Sequence, residues 1–130
     1  MNFYTRKWIK PGDLNPNGSL FGGALLQWID EEAAIYAIIQ LGSNRVVTKY
    51  MSEINFENPG RPGDIIELGL KATHFGTTSV TLTCQVRNKI TKNIILTVDK
   101  IVFVHLDENG IPTPHGKTEI TYTDERLRED

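Results

Sequence analysis

The amino-acid sequence predicts an α+β domain in which a five-stranded antiparallel sheet wraps one long central helix. Three observations support this. A single helix-length apolar run, FGGALLQWIDEEAAIYAIIQLG at 21–42, stands early in the chain. Four runs rich in Val, Ile, Thr and Phe follow it, at 45–57, 65–75, 79–89 and 94–106. The links between those runs, NPGRPGD, GTT and ITKN, are short, and short links between successive strands favour antiparallel pairing.

Taken in order, Met1 to Ile9 mixes aromatic, β-branched and charged residues, which suits a first strand. PGDLNPNGS is rich in breakers and reads as a loop ending at the helix. From Gly22 the composition favours helix, and Gly42, just past Leu41, stands where a C-cap glycine belongs. Because that helix is apolar nearly all round, it is expected to be buried on most sides. The four β-branched runs supply the remaining strands, the last of them carrying Asp99-Lys100 in its middle and closing at DENG. The domain is therefore expected to occupy 1–110. A polar tail at 111–130, with Pro112 and Pro114, is expected as a short appended helix or a frayed end. An open sheet has free edges, and pairing one edge with a second copy makes a homodimer the minimum expectation.

Composition excludes several classes of function. A chain of 130 residues has the size of one domain. Its net charge of −2, with basic residues scattered, lacks the footprint of a nucleic-acid binder. Gln27, Asp30, Glu31 and Glu32 make the apolar run too costly for a bilayer, so no membrane span is expected. The single cysteine, Cys84, allows no intrachain disulfide and no cysteine-built metal cage. With no apolar leader visible in NFYTRKWIK, a cytoplasmic location is expected. No G-x-S-x-G elbow is present, and His74, His105 and His115 lack the spacing of a metal site.

Asp30 is the residue most in need of an explanation. Its neighbours three and four places away on the helix are Leu26, Gln27, Ala33 and Ala34, so its surroundings are mostly apolar. A carboxylate desolvated in this way resists ionisation unless hydrogen-bonded, and such acids are enriched at functional sites. The alternative is a local cap or ion pair. Gly22-Gly23, at the helix start, follows a loop containing Asn15, Asn17 and Gly18. Glycines there let a ligand approach the first-turn N–H groups, which could stabilise an oxyanion, although glycine pairs before helices also serve packing alone.

Four motifs stand in order. They are Asn15-Pro16-Asn17-Gly18-Ser19-Leu20-Phe21-Gly22-Gly23, then Asp30, then Asn55-Phe56-Glu57-Asn58-Pro59-Gly60-Arg61-Pro62-Gly63-Asp64, then Gly76-Thr77-Thr78-Ser79. In sequence and spacing this series, within residues 5–110, resembles the hotdog-fold acyl-CoA thioesterases of the YciA and brain-type acyl-CoA hydrolase family. The resemblance implies a hotdog fold and hydrolysis of acyl-CoA to free fatty acid and CoA, with no cofactor, since coenzyme A belongs to the substrate. It implies that Asp30 is the general base or nucleophile, faced by Asn15 of the neighbouring subunit. Gly22 and Gly23 would bind at the helix start, Gly23 supplying an oxyanion N–H. Gly76, Thr77, Thr78 and Ser79 would lie along the pantetheine arm. A homodimer, assembled as a trimer of dimers, is implied as well. The sequence departs from the family pattern at Ser19, where Asp or Asn is common, and at Thr77, where a basic residue is frequent.

Two rivals share this architecture. A hotdog-fold dehydratase would use a histidine with its acid, and neither the helix nor the loop before it has one. A non-catalytic acyl-CoA-binding regulator would keep the glycine loop without turnover, and the presence of both Asn15 and Asp30 argues against it. Leu26, Tyr36, Met51 and Phe56 are the expected lining of the acyl tunnel.

Overall fold

A computed structural model of the chain describes residues 1–121. Strand β1 (Asn2–Trp8) leads through a 3₁₀ turn (Pro11–Asp13) to helix α1 (Gly22–Leu41). Strands β2 (Val46–Met51), β3 (Ile54–Phe56), β4 (Ile65–Phe75), β5 (Ser79–Asn88) and β6 (Ile94–His105) follow. All pairings are antiparallel, in the order β1-β4-β5-β6-β2, with β3 also pairing β6.

The run expected as one strand at 45–57 is two strands, so six strands occupy the five expected positions. The chain breaks at Ser52-Glu53, where Ser52 N–H donates to Lys100 O (2.8 Å) and Lys100 N–H donates to Ser52 Oγ (2.9 Å). The cause lies in β6. Cys84 pairs with Val98 and Leu82 with Ile101, so Asp99 and Lys100 together oppose Thr83 alone. This is a β-bulge, which bends its strand and turns both charged side chains to solvent. The bulge accounts for charge in the middle of a strand. Further extra residues at Tyr4 in β1, Lys49 in β2 and Thr73 in β4 add bends, so the sheet curls round α1.

Leu25, Ile29, Ala33, Tyr36, Ala37 and Leu41 recur at helical spacing and form the buried face of α1. Facing them in one core are Leu68, Leu82, Val98, Ile101 and Phe103. Ala33 and Ala37 are fully buried, and their small side chains let the helix lie close to the sheet. Ile29, also fully buried, is a position where truncation to Ala is expected to cost roughly 2–5 kcal/mol. The helix ends as expected at Gly42, whose φ of 71° suits glycine and whose N–H donates to Ile38 O.

Burial on most sides is not what the single chain shows. Gln27, Asp30, Glu31, Ile35 and Ile39 are exposed on the outer face of α1, because one curled sheet covers only one side of a cylinder. Residues 111–121 run back over the domain as a strap without helix. Thr113 N–H donates to His105 O, His115 N–H to Thr77 O, and Thr121 N–H to Oε1 of the buried Gln40. The rest of the expected tail, 122–130, lies outside the described residues. Among the described residues no helix is long and apolar enough to cross a membrane.

Candidate active site

Helix α1 carries Asp30 on the flank next to the edge strand β2. There Thr48 donates its hydroxyl to Asp30 Oδ1 across 2.6 Å. The expected desolvation does not hold: Asp30 is exposed, since no strand lies beyond β2 to cover that flank. Among the described residues it makes no ion pair, and Oδ2 has no protein donor. A carboxylate with one oxygen held and the other open can take a proton from water or attack a carbonyl carbon. Thr48 was not legible in the sequence, because its link to Asp30 depends on how β2 folds back beside the helix.

The start of α1 is open in a different sense. Phe21 occupies the N-cap without a side-chain cap, no acidic residue stands in the first turn, and the first helical bond is Leu25 N–H to Phe21 O. The N–H groups of Gly22, Gly23 and Ala24 thus point outward at the positive end of the helix dipole. A Cβ on Gly23 would fall 2.5 Å from Phe21 Cε1, whereas one on Gly22 would meet Phe56 Cζ at an ordinary 3.4 Å. Gly23 and Asp30 are seven residues apart, which is two turns. They share a flank but stand about 10 Å apart along the axis.

Asn15 shapes the loop that delivers the chain to this helix. Its Oδ1 accepts from Asn17 N–H (2.9 Å) and Ser19 N–H (3.2 Å), while its Nδ2 donates to Ser19 Oγ (3.2 Å). It borders a surface cleft with Ser19, Gly22, Phe56, Glu57 and Pro59. Within the chain Asn15 and Asp30 do not hydrogen-bond; each is held by its own neighbours.

The third predicted segment, Gly76–Ser79, is the turn from β4 into β5. Gly76 N–H donates to Ser79 O (2.9 Å), and a Cβ at Gly76 would lie 2.5 Å from Ser79 Oγ, which would have to turn aside. The strap grips it. His115 gives its N–H to Thr77 O and its Nε2–H to Ser79 O (2.8 Å), while Nδ1 accepts from Lys117 N–H (3.0 Å). Tail and turn are separated by 36 residues, so sequence spacing gave no hint of this contact.

The remaining polar groups have other duties. His105 and His115 come within 6.4 Å ring to ring, yet His105 Nδ1 and both ring nitrogens of His115 bond backbone groups. Among the described residues no three His, Cys, Asp or Glu side chains gather for a metal. Burial pushes the Cys84 thiol up to about 12, which suits a core residue and not a nucleophile. Of the expected tunnel lining, Tyr36 faces an apolar groove with Tyr4, Ile35, Ile39 and Leu70 on the opposite flank of α1, and Phe56 lines the Asn15 cleft. Burial raises the Tyr36 phenol above its usual range, partly offset by the bond it accepts from Ala72 N–H. Leu26 and Met51 pack at the margin of the core.

Comparison with known proteins gives the family of this fold. Residues 17–95 match the family model described as the thioesterase superfamily. The acyl-CoA thioester hydrolase YciA of Salmonella typhimurium is 31% identical over 115 residues, covering 84% of this chain and 86% of that protein. An acyl-CoA hydrolase from Staphylococcus aureus, solved with butyryl coenzyme A, coenzyme A and coenzyme A disulfide, superposes with a TM-score of 0.77 at 31% identity, covering 85% of this chain and 66% of the other. Asp-to-Ala and Thr-to-Ala mutants of that hydrolase superpose similarly. A hexameric hotdog fold thioesterase of Campylobacter jejuni gives a TM-score of 0.75 at 27% identity, covering 88% and 90% of the two chains. The sheet curled round one helix is the hotdog fold, and the chain belongs to the thioesterase superfamily.

Proposed function

We propose that this protein is an acyl-CoA thioester hydrolase whose active site is completed by a second copy of the chain. The observation that carries the reading is the Asp30 carboxylate, solvent-open, without an ion pair among the described residues and fixed through one oxygen by Thr48. Oδ2 is then available to deprotonate a water that attacks the thioester carbon, or to attack it directly and form an anhydride that water resolves. Coenzyme A leaves as the thiol in either case. No histidine bonds to Asp30, which disfavours dehydratase chemistry.

The two-copy site is supported by distance and by the sheet edge. Along one helix Gly23 and Asp30 stand about 10 Å apart, too far for one carbonyl group to accept from the first while reacting with the second. A partner's loop and helix start, bringing its Asn15 and Gly23, would close that gap. Edge residues Val47, Tyr50 and Phe56 are exposed beside Asp30's flank, an apolar surface suited to burial against a second subunit. Similar proteins described as hexameric support a trimer of such dimers. The decisive experiment is thiol release from acyl-CoA, monitored with a thiol reagent, for the wild type and Asp30→Asn. Turnover by the wild type alone supports hydrolysis. Saturable binding of acyl-CoA without thiol release would show a binding regulator instead.

A further inference from the structure

One turn before Asp30 on α1 stands Gln27, an exposed side chain whose amide bonds no other group among the described residues. We infer that Gln27 holds the water that attacks the thioester, accepting one of its hydrogens while Asp30 takes the other. The inference rests on the hydrolase reading above and deepens it, since it makes water, not the carboxylate, the nucleophile.

The helix narrows the choice of residue. Side chains three and four places away are the ones that meet on a helix surface, and for Asp30 these are Leu26, Gln27, Ala33 and Ala34. Leu26 and Ala34 pack at the margin of the core, and Ala33 is fully buried. Thr48 is already committed to Oδ1. Gln27 is therefore the one polar side chain within a helical turn of Asp30 on that helix surface that can serve the open Oδ2. Its own next polar neighbour is Glu31, four places on, and no bond joins the two among the described residues.

The spacing suits a bridging water. Helical neighbours of this kind stand about 5–6 Å apart at Cβ, and a shared water lies about 2.8 Å from each partner. One hydrogen then points at Asp30 Oδ2 and the other at Gln27 Oε1, which leaves a lone pair to meet the thioester carbon. As the new C–O bond forms, the water's proton passes to Asp30. The C–S bond breaks next, and Asp30 returns the proton to the departing sulfur, so the products are the free acid and the thiol. An amide suits this position because a cation there would pair with Asp30 and a carboxylate would repel it.

The test adds methanol as a competing nucleophile and compares the free acid with the methyl ester formed from one acyl-CoA. Methanol has a single hydroxyl hydrogen, so when bound to Asp30 it would turn its methyl group toward Gln27 Oε1. The wild type should favour water. Gln27→Met, which keeps the length of the side chain without its polar atoms, should lose about tenfold in kcat with KM little changed, and its methyl-ester share should rise several-fold. Gln27→Glu, which keeps an acceptor oxygen at the same reach, should restore the wild-type share even where its charge slows the reaction. Full kcat in a folded Gln27→Met protein, or a methyl-ester share equal to wild type, overturns the role of Gln27 and leaves the hydrolase intact. A wild type that releases no thiol from acyl-CoA would overturn the hydrolase reading itself, and this inference with it.

Discussion

Thr48, on the edge strand β2, gives its hydroxyl proton to Oδ1 of Asp30, 18 residues earlier on α1, across 2.6 Å. The bond sets the carboxylate's rotamer and leaves Oδ2 toward solvent, where a water or thioester can reach it. A hydroxyl is well suited to this task because it orients the acid without the full charge of Lys or Arg, which would stabilise the ionised form and weaken it as a base.

Asp30→Asn should therefore remove activity, since the amide keeps the shape but can act neither as base nor as nucleophile. A loss of roughly 10² or more in kcat is expected. Thr48→Val, which keeps the β-branched shape and deletes the donor, should cost about tenfold in kcat. Both residues sit at an open flank, so Tm should stay near wild type in each variant. A folded Asp30→Asn protein with most of its turnover intact would remove Asp30 from the chemistry.

The sequence carried the helix and its limits because Gly22 and Gly42 mark them chemically, and it carried the strands because β-branched runs are separated by short breaker-rich links. It did not carry the Ser52-Glu53 break, which follows from a bulge on a neighbouring strand. Asp30 and the glycines were legible as motif residues. Thr48, and the His115 clamp on Ser79, were not, since each depends on contacts made only when distant segments meet. Apparent desolvation of Asp30 was misread for a related reason: helical neighbours do not reveal that the sheet ends at β2.

Gly23→Val tests the helix start. The new Cβ would lie 2.5 Å from the exposed Phe21 ring, forcing that ring aside and crowding the first-turn N–H groups. Loss of an oxyanion donor typically costs on the order of 3 kcal/mol, so kcat should fall roughly 10²-fold with coenzyme A binding largely kept. Gly22→Ala, whose Cβ meets Phe56 at 3.4 Å, should be milder. Equal kcat in wild type and an assembled Gly23→Val protein would dismiss the oxyanion role.

Glu67 governs acid stability. Burial by itself would raise its pKa, but hydrogen bonds from Arg87, Lys89 and Lys92 outweigh that and hold it below the usual carboxylate value. A carboxyl depressed in the folded state contributes stability above its unfolded pKa and loses it as pH falls through the folded one. Unfolding free energy should thus decline as pH drops below about 4.3, the unfolded value for Glu. Glu67→Gln should be less stable at neutral pH by roughly 3 kcal/mol and should show a flatter slope in that acid window. Urea titrations at several pH values would show parallel slopes for the two proteins if Glu67 played no such part.

The shared site can be tested by mixing two inactive variants under conditions that let subunits exchange. Asp30→Ala is one. For the loop residue, Asn15→Asp is the better partner, because its carboxylate can still accept from Asn17 and Ser19 N–H while the Nδ2 donor is gone. If each site draws Asn15 from one chain and Asp30 from the other, a mixed dimer has one site with both residues intact and one with both replaced. Random pairing makes about half of the dimers mixed, so activity should return to about a quarter of wild type, provided a two-fold axis relates the sites. If both residues came from the same chain, every site in the mixture would still carry one replacement and activity would stay at the level of the parents. Heterodimers isolated through a tag on one variant remove any doubt about exchange. Pure heterodimers no more active than either parent would rule out a cross-subunit site, and Asp30 would then have to find its partners on its own flank of α1, beginning with Thr48.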